Sequence, residues 1–179
     1  MNQKRDTVCL FTGHRELPVA QEKLRLRTQR QMVELISQGV CTFLSGGARG
    51  FDLLGASLAI ALREEYPQVR LVMVLPCRGQ DRRWKKQDRW DFARVLEQAD
   101  EIICLSDFYY RGCMHRRNNY MVDHGGHCIA YCNRDSGGSY YTVSRAKKQG
   151  LAVYNMADTG PREEQMKLEG YPDVYKRQV

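Results

Sequence analysis

Val40-Cys41-Thr42-Phe43-Leu44-Ser45, then Gly46-Gly47-Ala48-Arg49-Gly50, then Phe51-Asp52-Leu53-Leu54-Gly55-Ala56-Ser57-Leu58-Ala59 is the stretch that decides the fold. The first six residues form a short apolar run of strand type. Gly46 and Gly47 break it, and the apolar positions Leu53, Leu54, Ala56, Leu58, Ala59 and Leu62 then predict a helix over Phe51 to Glu65. The same unit recurs on both sides. Upstream, Thr7 to Thr12 reads as a buried strand stopped at Gly13, and Val19 to Gln38 as a helix closed by Gly39. Downstream, strands are predicted over Arg70–Leu75, Glu101–Leu105, His127–Cys132 and Leu151–Met156, with helices over Asp88–Gln98, Met114–His124 and Tyr140–Gln149. Strands that are apolar nearly throughout and alternate with helices belong to a parallel sheet covered on both faces. The expected fold is therefore α/β: a doubly wound, mainly parallel sheet of five to six strands with helices on both faces, of Rossmann-like type.

The 179 residues fit one domain, with 42% hydrophobic and 27% charged residues, near the averages of globular chains. The domain is expected over 1–157. Residues 158–179 are polar and aperiodic and read as a poorly ordered tail, excluded from the fold. No run approaches the roughly 18 apolar residues of a membrane helix, so a cytoplasmic protein without a membrane partner is expected. Seven cysteines without a secretion signal read as free thiols of a reducing compartment. Cys9, Cys41, Cys104 and Cys128 fall in strands and are expected in the core, whereas Cys77 and Cys113 fall at a basic edge, where a thiolate is favoured.

In an open parallel sheet, ligands bind beyond the carboxyl ends of the strands, so the strand-to-helix junctions carry the functional information. They read Thr12-Gly13-His14-Arg15, Ser45-Gly46-Gly47-Ala48-Arg49-Gly50-Phe51-Asp52, Pro76-Cys77-Arg78-Gly79-Gln80-Asp81-Arg82-Arg83-Trp84, Ser106-Asp107 with Tyr109-Tyr110-Arg111-Gly112, and Ser136-Gly137-Gly138-Ser139. The opposite returns, at Gln38-Gly39, Pro67-Gln68, Ala99-Asp100 and Gly125-Gly126, carry no arginine. The net charge of +7 is thus aimed at one edge. Glycine admits close backbone approach, helix N-termini add partial positive charge, and arginine forks bind phosphate, a combination that describes a nucleotide pocket. The candidate ligand-binding set is Gly13, His14, Arg15, Ser45, Gly46, Gly47, Arg49, Gly50, Asp52, Arg78, Arg82, Trp84, Ser136, Gly137, Gly138, Ser139 and Thr142. Within it Gly46, Gly47 and Gly50 are expected to present backbone donors, Arg49 and Arg78 to clamp phosphate, and Asp52 to meet a ribose.

Metal binding is not expected. Cys113 and His124, at the two ends of one predicted helix, lie about 16 Å apart, and Cys128 and Cys132, four residues apart on a strand, about 13 Å apart. No cofactor is assigned. Asp52, Asp81, Asp107 and His14 are available for acid–base work, but no catalytic residue is singled out. Trp84, Trp90, Tyr109 and Tyr110 lie among Arg82, Arg83, Lys85, Lys86, Arg89, Arg111, Arg116 and Arg117, a mixture that suits base stacking above phosphate contacts. Trp90 is expected to anchor its helix to the sheet.

At these residues the chain resembles the SLOG superfamily, the Rossmann-like group containing the DNA-processing protein DprA (Smf) and the LOG nucleotide hydrolases, and within it the YpsA-like branch. The resemblance rests on Thr12-Gly13-His14-Arg15, Leu44 to Asp52, Leu75-Pro76-Cys77 with Trp84, Gln98-Ala99-Asp100, Tyr120-Met121-Val122-Asp123, and Ser136-Gly137-Gly138 with Thr142-Val143 and Ala146. It implies binding of a nucleotide or nucleotide derivative, such as an ADP-ribose-containing molecule, at the glycine loops, in a sensor or regulatory role. The LOG enzymes carry Pro-Gly-Gly-x-Gly-Thr-x-x-Glu. Here Gly137-Gly138-Ser139-Tyr140-Tyr141-Thr142 is followed by Val143-Ser144-Arg145, without the glutamate that serves in glycosidic cleavage. A hydrolase acting on the glycosidic or phosphate bond is the alternative, and DprA-like binding of single-stranded nucleic acid is a second one. A homo-oligomer is compatible with all three.

Overall fold

The computed structural model describes residues 3–19 and 21–157. The chain runs α1 (Gln3–Asp6), β1 (Val8–Gly13), α2 (Gln21–Ser37), β2 (Thr42–Ser45), α3 (Phe51–Leu62), β3 (Arg70–Leu75), α4 (Lys86–Glu97), β4 (Glu101–Cys104), α5 (Cys113–His124), β5 (His127–Tyr131), α6 (Gly137–Lys148) and β6 (Ala152–Asn155). All six strands are parallel and form one sheet of order β4-β3-β2-β1-β5-β6. The direction of winding reverses between β1 and β5. At such a switch point the two flanking connections leave toward opposite faces and open a crevice beyond the strand ends.

Alternation along each strand builds two cores. Cys9, Phe11, Phe43, Leu71, Met73 and Ile129 face the layer of α2, α3 and α4, while Leu10, Leu44, Val72, Val74, Cys128 and Ala130 face α5 and α6. Phe11 and Phe43 stack across β1 and β2 at 5.6 Å with ring planes 11° apart. Helix α3 lies close over this pair because position 55 is glycine: a Cβ there would stand 2.6 Å from the Phe11 ring. The C-terminal end of α5 is held from outside its own segment. Arg5 donates from Nε and Nη2 to the Gly125 carbonyl at 3.1 and 2.9 Å, and from Nη2 to Val122 at 3.2 Å, satisfying acceptors that the helix leaves open.

Several expectations need correction. Helix α6 starts at Gly137 instead of Tyr140, because packing of Thr142, Val143 and Ala146 carries the helix back through two glycines of poor propensity. Strand β4 is a sheet edge with Ile102 and Cys104 exposed, so Cys104 is not a core residue, and Cys41 is only half-buried. Trp90 is 54% exposed and does not anchor α4; Phe92 and Val95 bury that helix, and the Arg94 guanidinium lies 4.7 Å over the Trp90 ring. Cys77 and Cys113 are buried instead of lying on a solvated basic edge, and burial pushes the Cys77 thiol up, against thiolate formation. The predicted tail over 158–179 lies outside the described residues. Among the described residues no helix is long and apolar enough to cross a membrane.

Candidate functional site

A cleft of about 450 Å³ opens at the switch point. Its floor and walls come from the turn after β1 (Thr12 to Glu16), the start of α3 (Ala48, Arg49, Asp52), one face of α5 (Met114, Arg117, Asn118) and the turn after β5 (Arg134, Ser136 to Ser139). Four arginines face two acidic groups across it, so the cleft is cationic.

Asp52 sits in the first turn of α3 with 4% exposure. Its carboxylate accepts from the backbone N–H groups of Ala48 and Gly13, and Arg117 Nη1 lies 3.7 Å from Oδ2. Burial outweighs these favourable contacts and pushes its pKa up to about 6. Arg117 is equally buried, and the same desolvation lowers its own pKa despite the attraction of Asp52. Its Nε donates to Asn118 Oδ1 at 2.7 Å, while Nη1 has no hydrogen-bond partner among the described residues. Its positive charge, opposed by a carboxylate whose own pKa burial has raised, adds to the cationic character of the cleft floor.

Opposite Arg117 stands the start of α6. Ser136 caps it in an extended conformation without a side-chain hydrogen bond to the first turn, so the first N–H groups, at Gly137, Gly138 and Ser139, face the cleft with the positive end of the helix dipole. A Cβ at Gly137 or Gly138 would meet no atom within 4 Å, leaving this backbone open to a ligand. His14 borders the same space. Its Nε2 accepts the Asn133 N–H at 3.1 Å, and burial followed by the nearby Arg134 charge lowers its pKa, which keeps the ring neutral at pH 7 with Nδ1 as the protonated nitrogen.

Of the candidates from sequence, Gly13, His14, Arg15, Arg49, Asp52, Ser136, Gly137, Gly138 and Ser139 meet at the cleft. The second glycine loop serves a different purpose from the one expected. Gly46 and Gly47 face inward: a Cβ on Gly46 would lie 1.5 Å from Arg117 Nη1, and one on Gly47 2.7 Å from the Phe92 ring. The Gly47 N–H is taken by Ser45 Oγ at 3.2 Å, and Ser45 Oγ itself donates to the Asp52 carbonyl at 2.9 Å. Gly50, at φ 81, packs where a Cβ would stand 2.4 Å from the His14 carbonyl oxygen. The loop therefore shapes the cleft by letting Arg117 and the β1 turn approach.

Arg78, Arg82 and Trp84 do not reach the cleft. Arg78 is exposed and pairs with Asp107 at 2.7 Å, and Trp84 packs edge-on against Phe92 with Arg49 5.9 Å over its ring. Thr142 is buried and donates to the Gly138 carbonyl at 2.8 Å, supporting the first turn of α6 from below. Residues that the sequence reading missed are Arg117, Asn118 and Arg134. For the first two a signal existed: Cys113, Arg117 and Met121, with Asn118 and Val122, form the apolar stripe of α5 at helical spacing, so polar groups there had to be buried. Among the described residues no group of three or more His, Cys, Asp or Glu side chains comes together to hold a metal ion.

A model described as the YspA SLOG family matches residues 10–157. Among curated proteins, a UPF0398 protein of Halalkalibacterium halodurans is 28% identical over 132 residues, covering 72% of this chain and 70% of its own. The SPbeta prophage-derived protein YoqJ of Bacillus subtilis is 26% identical, covering 70% of this chain and 81% of its own. The UPF0398 protein YpsA of Bacillus subtilis is 25% identical, with coverages of 68% and 69%. Among solved structures, DNA processing protein A of Streptococcus pneumoniae superposes with TM-score 0.59 at 16% identity over 82% of this chain, which spans only 49% of that protein. The Helicobacter pylori protein of the same name, solved for its single-stranded DNA binding mode, gives TM-score 0.56 at 16% identity, with coverages of 93% and 75%.

Proposed function

This chain belongs to the YspA SLOG family, and we propose that its cleft binds the phosphate of a nucleotide or nucleotide derivative, such as an ADP-ribose-containing molecule. One observation carries the reading: the glycine-lined start of α6, whose N-cap Ser136 makes no side-chain bond to the first turn, lines the switch-point cleft together with buried Arg117. A phosphate in the cleft accepts the N–H groups of Gly137, Gly138 and Ser139 at the positive end of α6, while Arg15, Arg49, Arg117 and Arg134 supply positive charge around it. Each charge-assisted bond is worth about 1.5–3 kcal/mol. Asp52, when ionised, is an acceptor for a sugar hydroxyl, and His14 Nδ1 offers a neutral donor.

Calorimetry with AMP, ADP-ribose and NAD tests the reading, using wild type and Gly138→Asp. That substitution adds a carboxylate in open space without steric conflict, so binding is abolished while the melting temperature holds. No heat from any of the three at millimolar concentration, or equal binding by the variant, overturns the assignment.

A second reading is favoured by Arg49, which lines the cleft and also lies over Trp84 beside a groove of about 320 Å³ with Lys86, Arg89 and Trp90. A single strand could follow that path, with bases on the indoles and phosphates on the cations. Anisotropy of a labelled oligonucleotide across a salt series separates the two. A log K that falls with log salt at a slope of about 0.7 per phosphate contacted, together with loss of binding in Trp90→Ala, favours the strand.

A further inference from the structure

The two edges of the sheet are finished differently. At one, β6 keeps Val153, Tyr154 and Asn155 half-buried, and the Asn155 side chain accepts from the Cys132 N–H at 3.0 Å and donates to the Cys132 carbonyl at 2.9 Å. At the other, β4 pairs with β3 alone, in the register Met73↔Ile102 and Leu75↔Cys104. Residues paired in this way share a face of the sheet, so Ile102 and Cys104 point to the side of Met73 and Leu75, toward the layer of α4. That helix buries Phe92 and Val95 in the core with Met73 and leaves the outer strand bare: Ile102 is 49% exposed, and Cys104 is exposed too. Phe108 and Tyr109 follow the strand at 71% and 70% exposure, in a turn where Ser106 Oγ donates to the Phe108 carbonyl at 2.8 Å. An outer strand with an open apolar row, and with neither lysine nor proline to blunt it, is a template for another strand.

The charges at the two ends of β4 select the strand that fits. At the amino end Arg70 and Glu101 pair at 3.8 Å, and at the carboxyl end Arg78 and Asp107 pair at 2.7 Å, with all four side chains exposed. In a chain of net charge +7 this edge is locally neutral, so it neither draws in a polyanion nor repels its own like. We propose that β4 is the interface of a two-fold dimer, pairing antiparallel with β4 of a second copy and joining the two six-stranded sheets edge to edge. Antiparallel pairing sets the amino end of one strand against the carboxyl end of the other, which brings Glu101 beside Arg78 of the second copy and Arg70 beside its Asp107. The axis passes through Ile103. Each exposed Ile102 then stands opposite the exposed Cys104 of the other copy, on the α4 face, and the contact occurs twice. Moving the axis to Ile102 would instead set Cys104 against Asp100, a carboxylate in the apolar row. The cleft between β1 and β5 lies three strands inward and stays open in the dimer, and the two clefts point to opposite edges of the joined sheet.

Oxidation of Ile102→Cys in the full chain tests the pairing. Directly opposed residues of an antiparallel pair have Cα atoms about 4.5–5.5 Å apart, within the span of a disulfide. Copper phenanthroline should therefore bridge the introduced thiol to Cys104 of the second copy, and a non-reducing gel should show the linked dimer. Wild type should stay single under the same treatment, because the two Cys104 side chains are offset along the strands, and adding Cys104→Ser to the variant should abolish the bridge. Sedimentation velocity of the unoxidised full chain should show a concentration-dependent dimer in the micromolar range. Ile102→Lys, at an exposed position where the melting temperature holds, should raise its dissociation constant by about tenfold or more. A wild type that sediments as a monomer throughout, a dimer unaffected by Ile102→Lys, or a bridge that survives Cys104→Ser overturns the proposal.

Discussion

Replacing Arg117 by methionine keeps the unbranched apolar stem of the side chain and removes the guanidinium beneath the cleft. Asp52 then stays buried without its counter-charge. In the wild type its pKa lies at about 6 when folded against 3.8 as the ordinary value, a difference of about 3 kcal/mol at 1.36 kcal/mol per pH unit. The folded state binds the proton more tightly, so this group makes stability fall as pH rises from about 4 to 6, after which its contribution is level. Without Arg117 the folded pKa climbs further, and the decline continues above pH 6 at about 1.4 kcal/mol per pH unit. The stability gap between wild type and variant should therefore widen by about 3 kcal/mol from pH 5, where both hold Asp52 neutral, to pH 8. That figure meets the lower end of the about 3–5 kcal/mol typical of a broken buried pair. Urea unfolding of both proteins at four values between pH 5 and 8 measures it, and adding Asp52→Asn to the variant should remove the extra pH dependence. Parallel stability curves for wild type and Arg117→Met would refute the reasoning.

Three other substitutions probe the same structure. Gly46→Ala puts a Cβ 1.5 Å from Arg117 Nη1, so the guanidinium must move; urea unfolding should show a loss of about 1–3 kcal/mol that shrinks in the Arg117→Met background. Phe43→Ala opens a hole under the fully buried Phe11 stack and should cost about 3–5 kcal/mol in the same measurement. Trp90→Ala removes an exposed ring and should change the unfolding free energy by no more than about 0.5 kcal/mol, whereas a loss of several kcal/mol would restore Trp90 as an anchor of α4.

Local signals in the sequence determined the order and type of β1 to β6 and α2 to α6. Apolar runs ending at Gly13, Ser45 and Leu75, and helical stripes ending at Gly39 and Gly150, depend on neighbours a few residues away. The same locality explains the cleft residues that were legible: strand-to-helix turns must lie at the C-terminal edge of a parallel sheet, which collects Gly13, His14, Arg15, Arg49, Asp52 and the Ser136–Ser139 turn on one side. What composition left open was which turns adjoin each other. Strand order decides that, and pairing β1 with β5 brings the first and last of these turns together while the turn carrying Arg78 and Arg82 stays two strands away, after β3. The direction of a side chain is likewise a tertiary matter. Arg116 and Arg117 are neighbours of identical type, yet one is exposed and donates to Leu105 while the other is buried against Asp52, because only one lies on the stripe that α5 turns toward the sheet. The glycines of the second loop show the same division. Sequence marks Gly46 and Gly47 as a turn, and only packing shows that the space a side chain would fill belongs to Arg117 and Phe92.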